Sequence, residues 1–421
     1  MHSYTSQIDA NDNLLVFGGA GYKSVGEEGS LNDLWKWDGT NWTWLSGDSS
    51  YNSLGNYGSK GIANSNNMPG ARHGAFSWLD SVGNFWLYGG LSDTGFLADL
   101  WKWDGVNWTW EAGDSTYVNY PIYGQKGVTG VGNGPGGRRS GACWKDTNDN
   151  FWLFGGQLDF RGGQRGQAND LWKWDGTQWT WISGDSIKDQ FGIYGTKGIG
   201  SGTNKPGARL LPFGWMDDNG EIWLFAGFGS AEAKSGVLND LWTYNGTNWI
   251  WISGSNETNK NGRFGTQNLQ SDQNSPPAIA GFAGWVDSIG DFYLHGGINI
   301  QKFGTFADVW KWNGSSWFWL KGDSLVNSTS EYGQLGISNA NNKIGAFNEN
   351  RAHVLSNGNV LVFGGRKFFN PFTSNTLWEI KPENNWNGSS WSHGQAPDSN
   401  EDAFIKSSSI PGNFQCKNLV L

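Results

Sequence analysis

One phrase of sequence recurs six times along the chain and constrains the fold more than any other feature. The phrase Asn-Asp-Leu-Trp-Lys-Trp-Asp-Gly at residues 32–39 returns around Trp101, Trp172, Trp242 and Trp310, and more loosely around Trp378. A Gly-Gly or Ala-Gly pair precedes each copy, and its second glycine lies at positions 19, 90, 156, 227, 297 and 365, which are 66 to 71 residues apart. Such a spacing indicates one array of repeated units, not a set of unrelated domains.

Composition narrows the fold class and the partners. The 421 residues include 65 glycines, 11 prolines and 15% aromatic residues, as expected for short strands joined by tight turns. The formal charge of −9 argues against nucleic acid as a partner, because phosphate binding depends on clustered Lys and Arg. No apolar run reaches the roughly 18 residues of a transmembrane segment. Two cysteines, Cys143 and Cys416, predict neither a disulfide framework nor a zinc site.

Each copy divides into four strands. In the second copy these are residues 73–79, 84–90, 99–103 and 107–112, with the hairpin turn Asp-Gly between the last two. All 29 tryptophans are in register with the repeat, and Trp-x-Trp spacing places both rings on one face of a strand. Radial stacking of four-stranded antiparallel units buries both faces of every sheet. The sequence therefore predicts an all-β, six-bladed β-propeller with four antiparallel strands in each blade.

The signature of each copy resembles the Kelch motif. Gly-Gly ends one strand, Asp-Leu-Trp opens the next and a further tryptophan follows, and the match covers nearly the whole chain. The chain is most similar to the Trp-rich Kelch propellers of secreted or surface-attached microbial proteins, often grouped with the central domain of galactose oxidase. Its period exceeds the usual Kelch period of about fifty residues, because each copy carries an extra segment after its last strand. The resemblance implies a Kelch-like propeller.

The repeat also predicts the domain boundaries. Residues 1–393 form one propeller, with blades at approximately 1–46, 72–112, 138–183, 209–253, 279–321 and 351–393. In the sixth copy, residues 379–385 expand the hairpin. The first copy begins with a first strand and the sixth ends with a fourth, so no blade shared between the two ends is required. Residues 394–421 are expected to be a C-terminal tail or linker that packs on the array, adds a strand or leads to another domain.

Strand direction places every long connection on one face of the disc, which we call the long-loop face. The tight turns share the opposite face. The long-loop face receives the inter-blade segments and the second-to-third loops, predicted at 20–32, 91–98, 157–169, 228–238, 298–307 and 366–375. Binding residues usually lie on loops held by a rigid scaffold. We therefore expect the partner to contact this face.

Residues of this face that depart from the repeat are the first binding candidates. They are Arg161 and Arg165 in the third copy, Lys302, Phe303 and Phe306 in the fifth, and Arg366, Lys367, Phe368 and Phe369 in the sixth. Arginine and aromatic residues are common anchors of recognition surfaces. Ordinary loop variation is the alternative interpretation.

A ring of aromatic residues supplies the second set of candidates. Tyr57, Tyr123, Tyr194 and Tyr332 occupy one phase of the inter-blade segments, and Phe264 takes that phase once. Tyrosines around a mouth are suited to stacking on sugars. Their in-phase recurrence instead favours a structural role, in which each ring attaches its segment to a blade.

The sequence predicts no catalytic residue, metal site or cofactor. A galactose-oxidase-like copper site needs two histidines, two tyrosines and a cysteine crosslinked to one tyrosine, whereas the five histidines here lie in or beside repeat positions without ligand spacing. The acidic turns at 146–150 and 217–221 resemble half of a calcium loop but lack its final glutamate. The recurrent Asp99 and Arg72 are interpreted as structural hydrogen-bonding residues, because a catalytic group is needed once.

These features predict an extracellular or cell-surface, non-catalytic binding or adhesion module that contacts a protein or glycan through the long-loop face. Seven Asn-x-Ser/Thr sequons are compatible with secretion without establishing it. One alternative is a galactose-oxidase-like or glycan-processing enzyme whose catalytic residues lie in the irregular loops. Another is a structural subunit of a surface assembly that self-associates through residues 394–421.

Overall fold

A computed structural model confirms the nearly all-β, six-bladed propeller. It describes residues 2–22, 28–116, 119–302, 304–322, 324–335, 337, 341–367, 370–374, 376–381, 384–386, 402–405 and 418–420. One 3-10 turn, Ile300–Lys302, is the helical element within these ranges. No helix of the described residues is long and apolar enough to cross a membrane.

Blades 1 to 3 are antiparallel sheets whose main strands pair in chain order. Blade 1 contains β1 (Thr5–Ile8), β2 (Leu14–Tyr22), β3 (Glu28–Trp37) and β4 (Trp42–Ser46). Blade 2 contains β5 (Phe76–Leu79), β6 (Phe85–Tyr88), β7 (Leu100–Trp103) and β8 (Trp108–Ala112). Blade 3 contains β9 (Arg138–Arg139), β10 (Ala142–Lys145), β11 (Phe151–Phe160), β12 (Gln164–Trp174) and β13 (Trp179–Ser183), with the short β9 paired to β11.

Blades 4 and 5 follow the same order. Blade 4 contains β14 (Arg209–Leu210), β15 (Phe213–Met216), β16 (Ile222–Ser230), β17 (Ser235–Tyr244) and β18 (Trp249–Ser253), with β14 and β15 both paired to β16. Blade 5 contains β19 (Ala283–Val286), β20 (Phe292–His295), the hairpin β21 (Ile298–Asn299) and β22 (Gly304–Thr305), β23 (Val309–Trp312) and β24 (Trp317–Lys321).

Blade 6 has three described antiparallel strands, β25 (Arg351–Val354), β26 (Val360–Phe363) and β29 (Leu377–Ile380). The hairpin β27 (Arg366–Lys367) and β28 (Asn370–Thr373) extends from it. A separate parallel sheet joins β30 (Asn384–Trp386), β31 (Asp402–Ile405) and β32 (Asn418–Val420). The expected fourth strand, which ends near Ser392, and most of residues 394–421 lie outside the described residues.

Three of the predicted second-to-third loops are instead mostly extended hairpins. In blades 1, 3 and 4 the second and third strands continue past the Gly-Gly position, as β2–β3, β11–β12 and β16–β17. The register of strand pairing shifts at that position, as in a β-bulge. The residue there has a positive φ, for example 64° at Gly155. Ala226 takes this conformation in blade 4 with a φ of 58°.

The first strands form the innermost layer, and side-chain packing closes the ring between blades 6 and 1. The Tyr4 and Phe363 rings meet edge to face at 5.3 Å, and the Tyr4 hydroxyl donates to the Phe363 carbonyl. Ser6 Oγ lies 2.8 Å from His353 Nε2. Because all four strands of blade 1 come from residues 5–46, its sheet needs no strand from the other end of the chain.

The core lies between neighbouring blades and is mostly aromatic. Trp101, Trp172, Trp242 and Trp310 are each 0% exposed. Trp108 of blade 2 packs edge to face on Phe17 of blade 1 at 5.6 Å. Burial of one indole contributes about 4–6 kcal/mol by area, so the tryptophan repeat is a packing repeat.

A buried polar network recurs beside these rings. Asp99 accepts hydrogen bonds from both terminal nitrogens of Arg72 at 2.6 and 2.7 Å, from Trp101 Nε1 at 2.7 Å and from the Tyr57 hydroxyl at 2.8 Å. Blades 3 and 4 repeat it with the sets Arg138, Asp170, Trp172 and Tyr123, and Arg209, Asp240, Trp242 and Tyr194. In all three ion pairs both side chains are 0% exposed. These residues have the structural role predicted for them.

Blade 1 lacks part of this arrangement. Asp33 accepts a hydrogen bond from Trp35 Nε1 at 2.7 Å, but its buried Oδ1 has no hydrogen-bond partner among the described residues. Burial raises the pKa of Asp33 above its usual range. The outer strand of this blade is also less covered, with Trp44 53% exposed. In blade 2 an inter-blade segment covers the outer strand, and Gly61 N donates to Trp110 O at 2.8 Å. Among the described residues, no such segment covers the outer strand of blade 1.

The two aspartates give a stability test with an internal control. We expect Asp99→Asn to lower the free energy of unfolding by about 3–5 kcal/mol, because it leaves Arg72 buried without a counter-charge. Asp33→Asn should change it by less than about 1 kcal/mol, because that carboxylate has no arginine partner. Denaturant unfolding at pH 7 measures both. Equal losses for the two variants would contradict the structural role of the ion pair.

The bulge position gives a second stability test. Gly155→Ala should destabilise the protein by about 1–2 kcal/mol, because a side chain there is strained and meets carbonyl oxygens. A Cβ at Gly155 would lie 2.9 Å from both Ala168 O and Arg209 O. The reverse change Ala226→Gly should be neutral or stabilising by up to about 1 kcal/mol. Thermal unfolding of both variants checks the signs, and destabilisation by Ala226→Gly would refute the argument.

Candidate ligand-binding site at the axis of the long-loop face

One residue from each blade lies at the propeller axis, just before the first strand. We call this set the axial ring: Ser3, Gly74, Ser140, Leu211, Gly281 and Glu349. Backbone hydrogen bonds run around it, from Gly74 N to Ser3 O (2.6 Å), Ser140 N to Gly74 O (2.9 Å), Leu211 N to Ser140 O (2.6 Å), Gly281 N to Leu211 O (3.2 Å) and Glu349 N to Gly281 O (2.6 Å). Because these residues precede the first strands, the ring lies on the long-loop face.

All six ring residues have a left-handed backbone, with φ between 52° and 67°. Glycine takes this conformation without strain, and Gly74 must also be small because a Cβ there would lie 2.8 Å from Ser140 Oγ. Leu211 and Glu349 take it against their preference, at about 1 kcal/mol or more each. Strain of this kind is concentrated at functional sites and is a reason to examine the surrounding side chains.

The buried ion pairs hold the ring in place. Arg72 and Arg138 each lie two residues before a ring residue and are fixed to aspartates of the third strand. The Gly-Gly motif joins successive blades at the same level, because Gly90 N donates to the Arg138 carbonyl at 2.8 Å. The repeat motifs therefore determine where the axial side chains lie.

Glu349 is the acidic centre of the site. Its carboxylate accepts hydrogen bonds from the Ser3 hydroxyl and from Arg366 (2.8 Å), and lies 3.2 Å from His2 Nδ1. The Glu349 side chain is 9% exposed. Burial alone would raise its pKa, but the His2 hydrogen bond and the Arg366 charge together hold the pKa of Glu349 at about 2. This carboxylate is thus ionised and already engaged.

Arg139 is the basic centre. Its Nε and one terminal nitrogen donate to Gln157 Oε1 at 3.1 and 3.0 Å, and the other terminal nitrogen lies 2.7 Å from His73 Nε2. No carboxylate within the described residues lies within 4.0 Å of this guanidinium. Burial lowers the pKa of Arg139, and the charges of Arg165 and Arg366 add to this against the opposing charge of Glu349.

The structure brings two predicted candidates, Arg165 and Arg366, to this cluster. Arg165 stacks 4.7 Å above the Phe96 ring, donates to Asp159 at 3.1 Å and has 53% of its side chain exposed. Arg161 is exposed at the turn of the same hairpin, β11–β12. Lys302 is exposed, and Lys367 lies 5.5 Å above the Phe347 ring.

One candidate of this set is not a surface residue. Phe306 is 1% exposed and belongs to the core between blades 4 and 5, because its position in the repeat faces inward. Phe303, Phe368 and Phe369 lie outside the described residues.

The inter-blade tyrosines have structural contacts. Tyr57 packs on Trp101 and Trp110 of the following blade, both at 5.0 Å, while its hydroxyl donates to Asp99. Tyr123 and Tyr194 make the same contacts in the next two blades, and Tyr194 is 1% exposed. Their phenol groups are engaged by buried carboxylates and do not line an open mouth. Tyr332 differs, because it is 53% exposed and stacks on Trp378 at 5.3 Å.

Sequence reasoning missed most of the axial site. Arg139 directly follows the recurrent Arg138, and Glu349 occupies the same repeat position as Gly74 and Ser140. Neither therefore stands out as a departure from the repeat. A usable signal existed at this repeat position, since its residue changes from glycine at 74 to serine at 140, leucine at 211 and glutamate at 349.

The groups considered for metal binding have other partners. Within the described residues, no cluster of three or more His, Cys, Asp or Glu side chains could hold a metal ion. Asp146 and Asp217 each accept two backbone N–H groups of their own hairpin turn at 2.9–3.0 Å. His295 is buried and His353 is partly buried in a separate place, and desolvation lowers the pKa of each to about 4.

Comparison with known proteins adds no family assignment. Neither a protein-family model nor a curated protein sequence matches this chain.

The acid limb of the stability curve tests the Glu349 cluster. The folded-state pKa of about 2 lies below the ordinary value of 4.5, so the carboxylate stabilises the fold above about pH 4.5 and loses that contribution as the pH falls to 2. Wild type should therefore exceed Glu349→Gln by up to about 3 kcal/mol at pH 6, with the difference shrinking towards pH 2. Urea unfolding at several pH values measures it. A pH-independent difference would contradict the assigned contacts.

Proposed function

We propose that this protein is a Kelch-like propeller that acts as a non-catalytic binding module, outside the cell or at its surface. The partner, a protein or a glycan, contacts the axial end of the long-loop face. The recurrent Gly-Gly and Asp-Leu-Trp motifs support the Kelch assignment, because they make the same contacts in successive blades. The resemblance to secreted and surface-attached propellers supports the location.

One observation carries the proposal: the polar residues that obey the repeat are used inside the fold, whereas several that depart from it gather at the axis. Asp99 and its equivalents bind arginine, tryptophan and tyrosine in the interior. Arg165, Arg366, Arg139 and Glu349 lie on one face and influence one another electrostatically. Charged groups concentrated on an otherwise regular scaffold are suited to recognition.

The scaffold holds the site ready for binding. Arg139 lies on β9 and Gln157 on β11, and these two residues are paired in the same sheet. The axial ring fixes the neighbouring backbone by hydrogen bonds from blade to blade. A preformed site loses little conformational entropy on binding. No contact among the described residues favours the enzymatic alternative or the assembly-subunit alternative over this one.

A pair of matched double variants tests the proposal. Arg165→Ala/Arg366→Ala should weaken binding at least tenfold on a glycan array and on an array of extracellular proteins, because it removes two exposed charges of the site. The control Lys36→Ala/Lys145→Ala also removes two positive charges, beside the turns of the opposite face, and should bind as wild type does. Equal weakening by both doubles, or no binding of wild type on either array, would refute the proposal.

A further inference from the structure

We infer that the axial site binds a carboxylated sugar, with Arg139 as the residue that receives the carboxylate. This inference rests on the proposed function and names the ligand class. It follows from a comparison of the hydrogen-bond partners of Arg139 with those of the buried arginines Arg72, Arg138 and Arg209.

Among the described residues, no carboxylate lies within 4.0 Å of the Arg139 guanidinium. Arg72, Arg138 and Arg209 each make a bidentate ion pair with an aspartate. Arg139 instead contacts the Gln157 amide oxygen and the His73 ring. A guanidinium has five N–H groups, and the described partners of Arg139 account for three of them.

The two described acids nearest this cluster, Glu349 and Asp159, each bind another cation. Glu349 binds Arg366 and lies against His2 and Ser3, while Asp159 binds Arg165. Arg139 is therefore a partly buried cation on which the charges of Glu349, Arg165 and Arg366 all act, but no described carboxylate lies within 4.0 Å of its guanidinium. The whole chain carries a formal charge of −9, so this local excess of positive groups is not a reflection of overall charge. An incoming anion would supply the missing partner.

The surroundings favour a carboxylate on a sugar over one on a peptide. The planar guanidinium fork matches a carboxylate in two parallel hydrogen bonds. The adjacent Ser140 and the amide of Gln157 place a hydroxyl and an amide group beside it, and such groups suit sugar hydroxyls. Five axial-ring N–H groups are already donated to neighbouring carbonyls. A peptide main chain could not use those five N–H groups.

The experiment compares ligands that differ in one feature. Purified full-length protein is titrated calorimetrically with saccharides ending in glucuronate, galacturonate or sialate, with their methyl esters, and with a hexaglutamate peptide. At least one acidic saccharide should bind, its ester should bind at least tenfold more weakly, and binding should weaken with added salt. Arg139→Gln should weaken binding about 10- to 100-fold, with Arg139→Lys between it and wild type. Lys145→Ala, on the opposite face, should have no effect.

A stability measurement separates binding from folding. Arg139→Gln should unfold within about 5 °C of wild type, because it removes a partly buried cation that has no carboxylate within 4.0 Å among the described residues. A fall of more than about 5 °C would assign Arg139 a structural role and overturn the inference.

The outcomes distinguish this inference from the proposed function. Failure of all three acidic saccharides, equal binding of acid and ester, or wild-type binding by Arg139→Gln would overturn it, and tighter binding of hexaglutamate would replace the sugar with an acidic peptide. If array ligands still depend on Arg165 and Arg366 in those cases, the proposed function stands without it.

Discussion

The buried carboxylate at the start of the third strand is the interaction on which most of this structure depends. In blade 2, Asp99 joins the inter-blade segment through Tyr57, the lead to the first strand through Arg72, and its own strand through Trp101. Such a carboxylate in a core is tolerated because every partner is present, and the same network recurs in blades 3 and 4. It fixes three chain segments against one another where tryptophan packing alone would allow sliding.

The geometry of the axis follows from this anchor. Each arginine is fixed by its aspartate, and the axial-ring residue follows it by two positions. That residue has a left-handed backbone, which lets it form hydrogen bonds with the ring residues of the adjacent blades. The ring tolerates different side chains, because its hydrogen bonds use backbone groups alone. Repetition of the anchor therefore allows the axial side chains to vary. Glu349 of the ring can therefore be charged and can lie in one electrostatic cluster with Arg139 and Arg366.

Much of the fold could be predicted from the sequence, since the Trp-x-Trp spacing, the Asp-Gly turns and the Gly-Gly pairs each have one dominant physical explanation. The extended hairpins were missed because continuation past Gly155 depends on a bulge that strand patterning does not reveal. The burial of Phe306 could not be predicted, because composition does not distinguish a side chain turned inward from one turned outward. Arg165 and Arg366 were found as departures from the repeat, whereas Arg139 was hidden beside Arg138.

The sequence by itself determined the number of blades, the strands within a blade and the face that carries the long connections. These follow from local periodicity and turn chemistry, which act over a few residues. Only the tertiary structure decided which charged residues meet, because Arg139 of blade 3 is far in sequence from Glu349 and Arg366 of blade 6. Closure of the ring brings the first and last blades together and turns scattered single residues into one site.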